Sequence, residues 1–155
     1  MTHGDHVDQV MTIMAAAFDP AYGEAWTRRQ VEDALLLGNC HAYLASISGH
    51  QARADELVAG FSLSRTGFEE EELLLFAVLP EYRRQGIGQS ILLALAADAN
   101  KRGAQRLLLE MRRGNPAERL YHEFGFMVIG ERKDYYRTPD GTRIDAITYA
   151  CNIGS

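Results

Sequence analysis

The feature that most constrains the fold is a strand, a basic glycine loop and a helix that follow one another without a break. The run ELLLFAVL (72–79) is apolar nearly throughout, as expected of a central strand buried on both faces, and Pro80 ends it. RRQGIG (83–88) follows, and apolar residues then recur at helical spacing until Gly103. This succession predicts a layered α+β domain with a loop of few side chains between sheet and helix.

The loop has the composition of an anion site. A helix N-terminus carries unpaired amides and the positive end of the helix dipole. Gly86 and Gly88 would let these amides approach phosphate oxygens, and Arg83 and Arg84 would add forked donors. The pattern is neither a Walker loop nor the dinucleotide fingerprint, whose third glycine is replaced by Ile91. A pyrophosphate seat and a solvated basic turn therefore remain open from the loop alone.

Before this strand–loop–helix unit the sequence predicts two helices and two strands. After it the sequence predicts a strand, a helix and two more strands. The first helix runs to about Phe18, and the second begins at a capping pair, Thr27 and Gln30, and ends at Gly38. Strands are predicted at 40–48, 57–64, 105–112, 125–136 and 145–153, with a helix between the third and fourth of these that Asn115 caps. The run 69–72 is interpreted as a solvated turn. The expected fold is one α/β (α+β) domain over residues 1–155, with a central, mixed, mostly antiparallel sheet of six to seven strands and helices on both faces.

Composition excludes several classes of protein. A chain of 155 residues with 46% hydrophobic content suits one domain, and a net charge of −5 argues against a nucleic-acid partner. Cys40 and Cys151 lie in apolar runs, which favours buried free thiols, and His41 and His122 lack metal-ligand spacing, so no metal is expected. Neither a signal pattern nor a run of roughly 20 apolar residues occurs, so we expect a cytoplasmic protein without membrane contact, as a monomer or weak homodimer.

RRQGIG after a buried strand resembles the Gln/Arg-x-x-Gly-x-Gly/Ala motif of GNAT-superfamily N-acetyltransferases. EAWT, LPEYRRQGIG, LLLEMR, LYHEFGF, DYY and DGTRIDAITY also occur in the order seen in the RimI-type branch, the ribosomal-protein-alanine N-acetyltransferases. The resemblance implies acetyl-CoA as cosubstrate, amides cradling its pyrophosphate and a strand edge pairing with its pantetheine arm. The residues implied to bind the coenzyme are Phe76, Ala77, Val78, Arg83, Arg84, Gln85, Gly86, Ile87, Gly88, Gln89 and Asn115.

The resemblance also assigns the chemistry. Acetyl transfer needs a neutral amine and a proton for the leaving thiolate, and the implied general base and general acid are Glu110 and Tyr121. Glu110 could instead be a charged strand end paired with Arg112, and Glu72 is an alternative base. Tyr121 could be a core tyrosine with a satisfied hydroxyl.

Three positions depart from the RimI-type pattern. The spacing from Asn115 to Tyr121 is six (121 − 115) rather than the usual seven, and one deleted helical residue rotates the rest of the helix by roughly 100°. Either the helix begins a residue earlier or Tyr121 points elsewhere. Leu75 stands where relatives often have a polar residue. The usual first strand has little room before the opening helix, so the sheet is expected to lack that edge or to form it poorly.

The implied acceptor is a protein N-terminus, specifically the N-terminal alanine of a small-subunit ribosomal protein with a basic tail. An α-amine, with a pKa of about 8 against about 10.4 for lysine, is more often neutral at pH 7. The residues expected to line its site are Trp26, Glu72, Tyr135 and Tyr136. Trp26 is equally compatible with a core position, and one of the adjacent tyrosines must face away on a strand. A lysine or small-amine acceptor, or a module that binds acyl-CoA without turnover, are the alternatives.

Overall fold

The structure, a computed structural model, describes residues 3–154, with side chains from His6 onward. The elements are α1 His3–Ala17, α2 Arg28–Leu36, β1 Cys40–Ala45, β2 Gly60–Gly67, β3 Glu70–Val78, α3 Ile87–Lys101, β4 Arg106–Arg112, α4 Glu118–Phe124, β5 Met127–Arg137 and β6 Arg143–Asn152. Short 3₁₀ turns at Pro20–Tyr22 and Pro80–Tyr82 precede α2 and α3. No helix within the described range is long and apolar enough to cross a membrane.

The strands form one six-stranded sheet in the order β1-β2-β3-β4-β6-β5. Only the β3–β4 contact is parallel, and the other four are antiparallel. This confirms the mixed, mostly antiparallel sheet, with the apolar run 72–79 in a central strand. In residues 3–154 the first strand follows α2, so the edge strand of relatives is absent from this range, and residues 1 and 2 lie outside it.

Helices cover both faces of the sheet, as predicted. On one face, called the α1 face, α1 and α2 pack on β1, β2 and β3 around Met14, Val31 and Phe61. On the other, the α3 face, Leu92 of α3 and Phe126 after α4 belong to a second core cluster with the inward side chains of β4 and β6. The α1 face of β4, β6 and β5 carries no helical layer in the described residues, and we call it the open face.

A bulge in β3 changes which side chains reach each face. Leu63 of β2 pairs with Leu75 and Ser64 with Leu73, so Leu74 is an extra residue. Leu74 and Leu75 consequently both pack against the α1-face core, whereas Phe76 faces α3. Leu75, one of the departures from relatives, is buried, which explains its apolar character.

The strands β3 and β4 separate part-way along their length. Their pairing runs from Glu70 opposite Arg106 to Leu73 opposite Leu109 and stops there, although β3 continues to Val78. The two strands therefore diverge into a V-shaped gap, which we call the β3–β4 gap. It opens beside the start of α3.

The prediction of a solvated turn at 69–72 is wrong for most of that run. Residues 70–72 belong to β3, and the Glu71 side chain is fully buried. Its carboxylate accepts hydrogen bonds from Ser64 Oγ at 2.5 Å, Thr66 Oγ1 at 2.9 Å and Arg102 at 2.8 Å. Buried charge is tolerated when it is fully hydrogen-bonded, and these donors come from β2 and from the end of α3.

Other local predictions are confirmed. Thr27 and Gln30 form the reciprocal capping box at the start of α2. Cys40 and Cys151 are free, buried thiols. α4 begins at Glu118, later than the predicted cap, but Asn115 still caps the turn because its Oδ1 accepts from the Ala117 amide at 2.9 Å.

Candidate active site

The loop before α3 has the backbone geometry expected of an anion seat. Gly86, with φ of 82°, is the N-cap of α3, and no side chain caps the helix within the described chain. Arg84 also has positive φ, 64°, and such left-handed residues turn successive amides toward one point. A Cβ at Gly86 would meet nothing within 4 Å, so the space beside the N-cap is open.

Gly88 has a different role from Gly86. A Cβ at Gly88 would lie 2.9 Å from Leu120 Cδ2 and 3.2 Å from Phe76 Cζ. The glycine thus allows the first turn of α3 to pack closely on β3 and α4. A side chain at position 88 would therefore disrupt the packing of α3 against β3 and α4, whether or not a ligand is bound.

The two loop arginines differ in their contacts. Arg83 donates from Nε to the Val78 carbonyl at 3.2 Å and from a terminal nitrogen to the Ala17 carbonyl at 3.3 Å. Its guanidinium therefore ties the loop to the ends of β3 and α1. Arg84 is exposed beside the seat, as is Gln85, while Ile87 anchors the helix in the core.

An unpaired backbone edge leads from the seat into the β3–β4 gap. The Ala77 carbonyl is directed at β2, where it would lie 2.9 Å from a Gly60 Cβ, and the Leu79 amide donates on the same side, to the Ala59 carbonyl just before β2. Because backbone groups alternate along a strand, those of Phe76 and Val78 face the gap, where the Val78 carbonyl already accepts from Arg83 Nε. Of the three residues predicted to pair with the pantetheine arm, Phe76 and Val78 are oriented for it and Ala77 is not.

Glu110 lies on the open face beside this gap. Thr148 Oγ1 donates to its Oε2 at 3.2 Å, and Arg132 Nε lies 3.3 Å from the same oxygen. The alternative in which Glu110 pairs with Arg112 is wrong, because Arg112 Nε instead contacts Glu24 Oε1 at 3.1 Å. Glu110 Oε1 has no partner in residues 6–154.

Tyr121 reaches the same region from the α3 face despite the short spacing from Asn115. Its buried ring lies 5.8 Å from the Phe76 ring and 5.6 Å from the Phe126 ring. Burial raises the pKa of the Tyr121 hydroxyl, and the negative charge of Glu24 raises it further. Within residues 6–154 this hydroxyl has no hydrogen-bond partner, which distinguishes it from a satisfied core tyrosine.

The prediction that one of the adjacent tyrosines of β5 faces away from the other is wrong, because the strand is irregular before them and their rings contact edge to face, with centroids 5.5 Å apart. Tyr135 is exposed, and the Arg132 guanidinium carbon lies 4.7 Å from its ring centroid. Tyr136 is half-buried; burial, followed by the charges of Glu110 and Glu24, raises its pKa to about 12. Tyr136 is therefore the tyrosine that shares the environment of Glu110.

The two remaining candidates, Trp26 and Glu72, contact residues other than Glu110. Trp26 packs, partly buried, against the α1-face core, and its backbone amide lies 3.2 Å from Met14 Sδ. Glu72 lies in the paired part of β3, opposite Leu108 of β4, and forms an ion pair with Arg65.

Sequence reasoning missed a contact between distant residues at this site. Arg112 is buried at the end of β4, where it pairs with Glu24 and where its guanidinium carbon lies 3.5 Å from the Tyr22 ring centroid. No local pattern marks two residues so far apart in the chain as partners. Among the described residues, no cluster of three His, Cys, Asp or Glu side chains could hold a metal ion.

A comparison with family models matches residues 7–126 to the acetyltransferase (GNAT) family. The chain belongs to the GNAT family. Its six-stranded sheet with helices on both faces is a GNAT fold: the chain superposes over its full length on 92% of the crystal structure of the ribosomal-protein-S18-alanine N-acetyltransferase from Escherichia coli, with a TM-score of 0.81 and 28% identity.

Two curated proteins resemble the chain in sequence. The [ribosomal protein bS18]-alanine N-acetyltransferase of Haemophilus influenzae is 37% identical over 96 residues, 62% of this chain and 66% of that protein. The protein of the same name from Escherichia coli K12 is 40% identical over 97 residues, 62% of this chain and 65% of that protein. The matched segment thus spans just under two thirds of each relative.

Proposed function

We propose that this GNAT chain is an acetyl-CoA-dependent N-acetyltransferase whose acceptor is a protein N-terminal α-amine, in the first place the N-terminal alanine of a small-subunit ribosomal protein. The observation that carries the proposal is the β3–β4 gap, whose free backbone edge leads from the anion seat of α3 to Glu110. The names of the similar GNAT proteins support the choice of acceptor.

The coenzyme lies along this path. Its pyrophosphate binds the amides of residues 84–89, since that loop offers unpaired donors and an open approach. The pantetheine arm pairs with the gap-facing groups of Phe76 and with the Val78 amide, since Arg83 occupies the Val78 carbonyl, and Asn115 borders the coenzyme from the turn before α4. Arg83 does not need to contact the coenzyme in this arrangement: it holds the loop to the end of β3 by donating to the Val78 carbonyl. The thioester then lies in the gap, between the side chains of Glu110 and Tyr121.

Glu110 and Tyr121 divide the proton transfers. Glu110 takes one proton from the acceptor ammonium, directly or through a water molecule, and the neutral amine attacks the thioester carbonyl carbon. A carbon–nitrogen bond forms, and the carbon–sulfur bond then breaks as the tetrahedral intermediate collapses. The leaving thiolate takes the Tyr121 proton; a tyrosine hydroxyl is protonated at neutral pH, and burial raises the pKa of this one further.

The open face receives the acceptor. Tyr136 flanks Glu110 there, Tyr135 and Trp26 border the approach, and Glu72 adds negative charge further along the α1 face. A net charge of −5 favours a basic peptide over an acidic one. The proposal includes a cytoplasmic setting and a monomeric or weakly dimeric enzyme.

The test supplies acetyl-CoA with three acceptors and measures thiol release and the mass of the product. The acceptors are a basic peptide beginning with alanine, the same peptide blocked at its α-amine but retaining a lysine, and a polyamine. We expect acetylation of the first only. Acetylation of the blocked peptide or of the polyamine would show that the acceptor is a side-chain amine or a small amine. Coenzyme binding without thiol release would show that the chain is a non-catalytic acyl-CoA-binding module.

A further inference from the structure

The loop between α1 and α2 is fastened to the far end of β4 by one buried cation. Arg112 retains 10% side-chain exposure and pairs with Glu24, 88 residues earlier, while the Tyr22 ring covers its guanidinium. A buried arginine is costly unless both its charge and its donors are satisfied, so this contact fixes the position of Glu24. The turn before Glu24 is itself fixed, because Asp19 accepts from the Ala21 amide at 2.9 Å.

This contact places Glu24 on the open face, near Glu110. Arg112 and Glu110 are two residues apart on β4, so their side chains leave the strand on the same side, about 6.6 Å apart along it. Leu109 and Met111 point the other way, into the α3-face core. Glu24 therefore approaches the sheet from the side on which an acceptor would arrive.

Glu24 keeps one carboxylate oxygen free. Its Oε1 accepts from Arg112, and its Oε2 has no hydrogen-bond or ion-pair partner in residues 6–154. The side chain is 27% exposed, so a ligand on the open face can reach it. Glu110 likewise has one oxygen occupied, by Thr148 and Arg132, and one free. Two half-satisfied carboxylates thus lie at the mouth of the β3–β4 gap.

We propose that Glu24 is a specificity-determining residue whose free carboxylate oxygen binds the acceptor's protonated amine, with Arg112 and Tyr22 as its positioning residues. The inference rests on the proposed transferase function and adds the group that recognises the ammonium. An ammonium has three N–H donors, so it donates one to Glu24 and one toward Glu110. Glu110 removes its proton, and the amine left on Glu24 is then oriented toward the thioester.

The experiment measures peptide binding to the CoA-saturated protein by calorimetry, so it does not depend on turnover. The probes are a basic peptide beginning with alanine and the same peptide acetylated at its α-amine. The variant Glu24→Gln keeps an oxygen that can accept from Arg112 Nε but removes the charge. We expect its affinity for the free-amine peptide to fall about 10- to 100-fold, the value of a charge-assisted hydrogen bond, with unchanged affinity for the blocked peptide.

The matched control is Glu70→Gln, which removes the carboxylate of the Glu70–Arg106 ion pair at the closed end of the same two strands, and it should change neither affinity. If Glu24→Gln weakens both peptides equally, or neither, the inference is overturned. If Glu24→Gln does not fold, Glu24→Asp replaces it, and an unchanged ratio of the two affinities in that variant would also overturn the inference. Absence of thiol release from the wild-type protein with any amine would instead refute the proposed function, which separates the two failures.

Discussion

Glu110 of β4 and Thr148 of β6 are directly opposite each other in the sheet, and the threonine hydroxyl donates to the glutamate carboxylate at 3.2 Å. The contact runs across the open face, where no helix of the described chain covers the sheet. It orients one carboxylate oxygen toward β6 and leaves the other for the gap. A fixed carboxylate with one free oxygen is what a general base requires.

Replacing Glu110 by Gln should lower kcat by about 10²- to 10⁴-fold, the usual contribution of a positioned general base. Coenzyme A affinity, measured by calorimetry, should stay the same because the anion seat and strand edge are untouched. Glu72→Gln is the matched control, since Glu72 lies on the same face of the neighbouring strand but is paired with Arg65. Unchanged turnover in Glu110→Gln, or a comparable loss in Glu72→Gln, would move the base to Glu72.

Replacing Tyr121 by Phe should slow turnover about 10²-fold or more without destabilising the fold. The ring, which provides the contacts with Phe76 and Phe126, is retained, and the hydroxyl has no partner to lose in residues 6–154. Denaturant unfolding and steady-state kinetics measure the two effects. Tyr149→Phe is the control, a buried tyrosine of the same core cluster, and it should retain normal turnover. A Tyr121→Phe enzyme with normal kcat would make Tyr121 a structural residue only.

Replacing Gly86 by Asp should weaken coenzyme A binding about 10- to 100-fold, because it adds a carboxylate at the N-cap of α3, beside the amides proposed to bind the pyrophosphate, and like charges repel. Gly103→Asp controls for backbone strain, since Gly103 also has positive φ, 99°, and no neighbour within 4 Å of its Cβ position. Each substitution costs about 1–2 kcal/mol of stability through the left-handed conformation. Equal coenzyme affinity in the two variants would place the phosphate elsewhere.

Tyr136 should make folding stability fall at alkaline pH. Its pKa is about 12 in the folded protein against about 10 in an unfolded chain, so the unfolded state loses the proton first. The stabilisation is complete below pH 10 and is lost as the pH rises from 10 to about 12. Urea unfolding of the wild type and of Tyr136→Phe at several pH values isolates this residue from the other tyrosines. Identical pH profiles would show that Tyr136 is solvated.

Replacing Arg102 by Met should destabilise the protein by about 3–5 kcal/mol, because it removes the countercharge of the fully buried Glu71. Arg29→Met is the control: Arg29 and its partner Asp33 are exposed, and such pairs contribute about 0–1 kcal/mol. Denaturant unfolding of both variants makes the comparison. A loss below about 1 kcal/mol for Arg102→Met would mean that Ser64 and Thr66 alone satisfy Glu71.

Features set by neighbouring residues could be predicted from the sequence. The capping box of Thr27 and Gln30, the strand that ends at Pro80 and the glycine entry to α3 all follow from local chemistry. Alternation along 106–112 places Leu107 and Leu109 in the core and Glu110 on the other face, as the structure shows. The order of helices and strands along the chain could be predicted by locating these segments one after another.

Features set by distant contacts could not be predicted in the same way. Glu71 resembles its acidic neighbours in sequence, and its burial depends on donors that folding brings to it, Arg102 from the end of α3 and Ser64 and Thr66 from β2. The pairing of Glu24 with Arg112, and the use of Arg83 on backbone carbonyls, also depend on segments brought together by folding. The spacing between Asn115 and Tyr121 predicted either an earlier helix start or a Tyr121 that points elsewhere, whereas α4 begins at Glu118 and Tyr121 packs against Phe76.

The β3–β4 contact extends over four residue pairs, from Glu70 opposite Arg106 to Leu73 opposite Leu109, yet it is the contact through which β1 and β2 join β4, β6 and β5 in the sheet. The sheet thus consists of two three-stranded halves joined by a short parallel pairing. A cosubstrate bound between the two halves would act as an additional strand and would connect them while it is bound. Metabolic supply of that cosubstrate would then govern the catalyst's resistance to unfolding and proteolysis together with its rate.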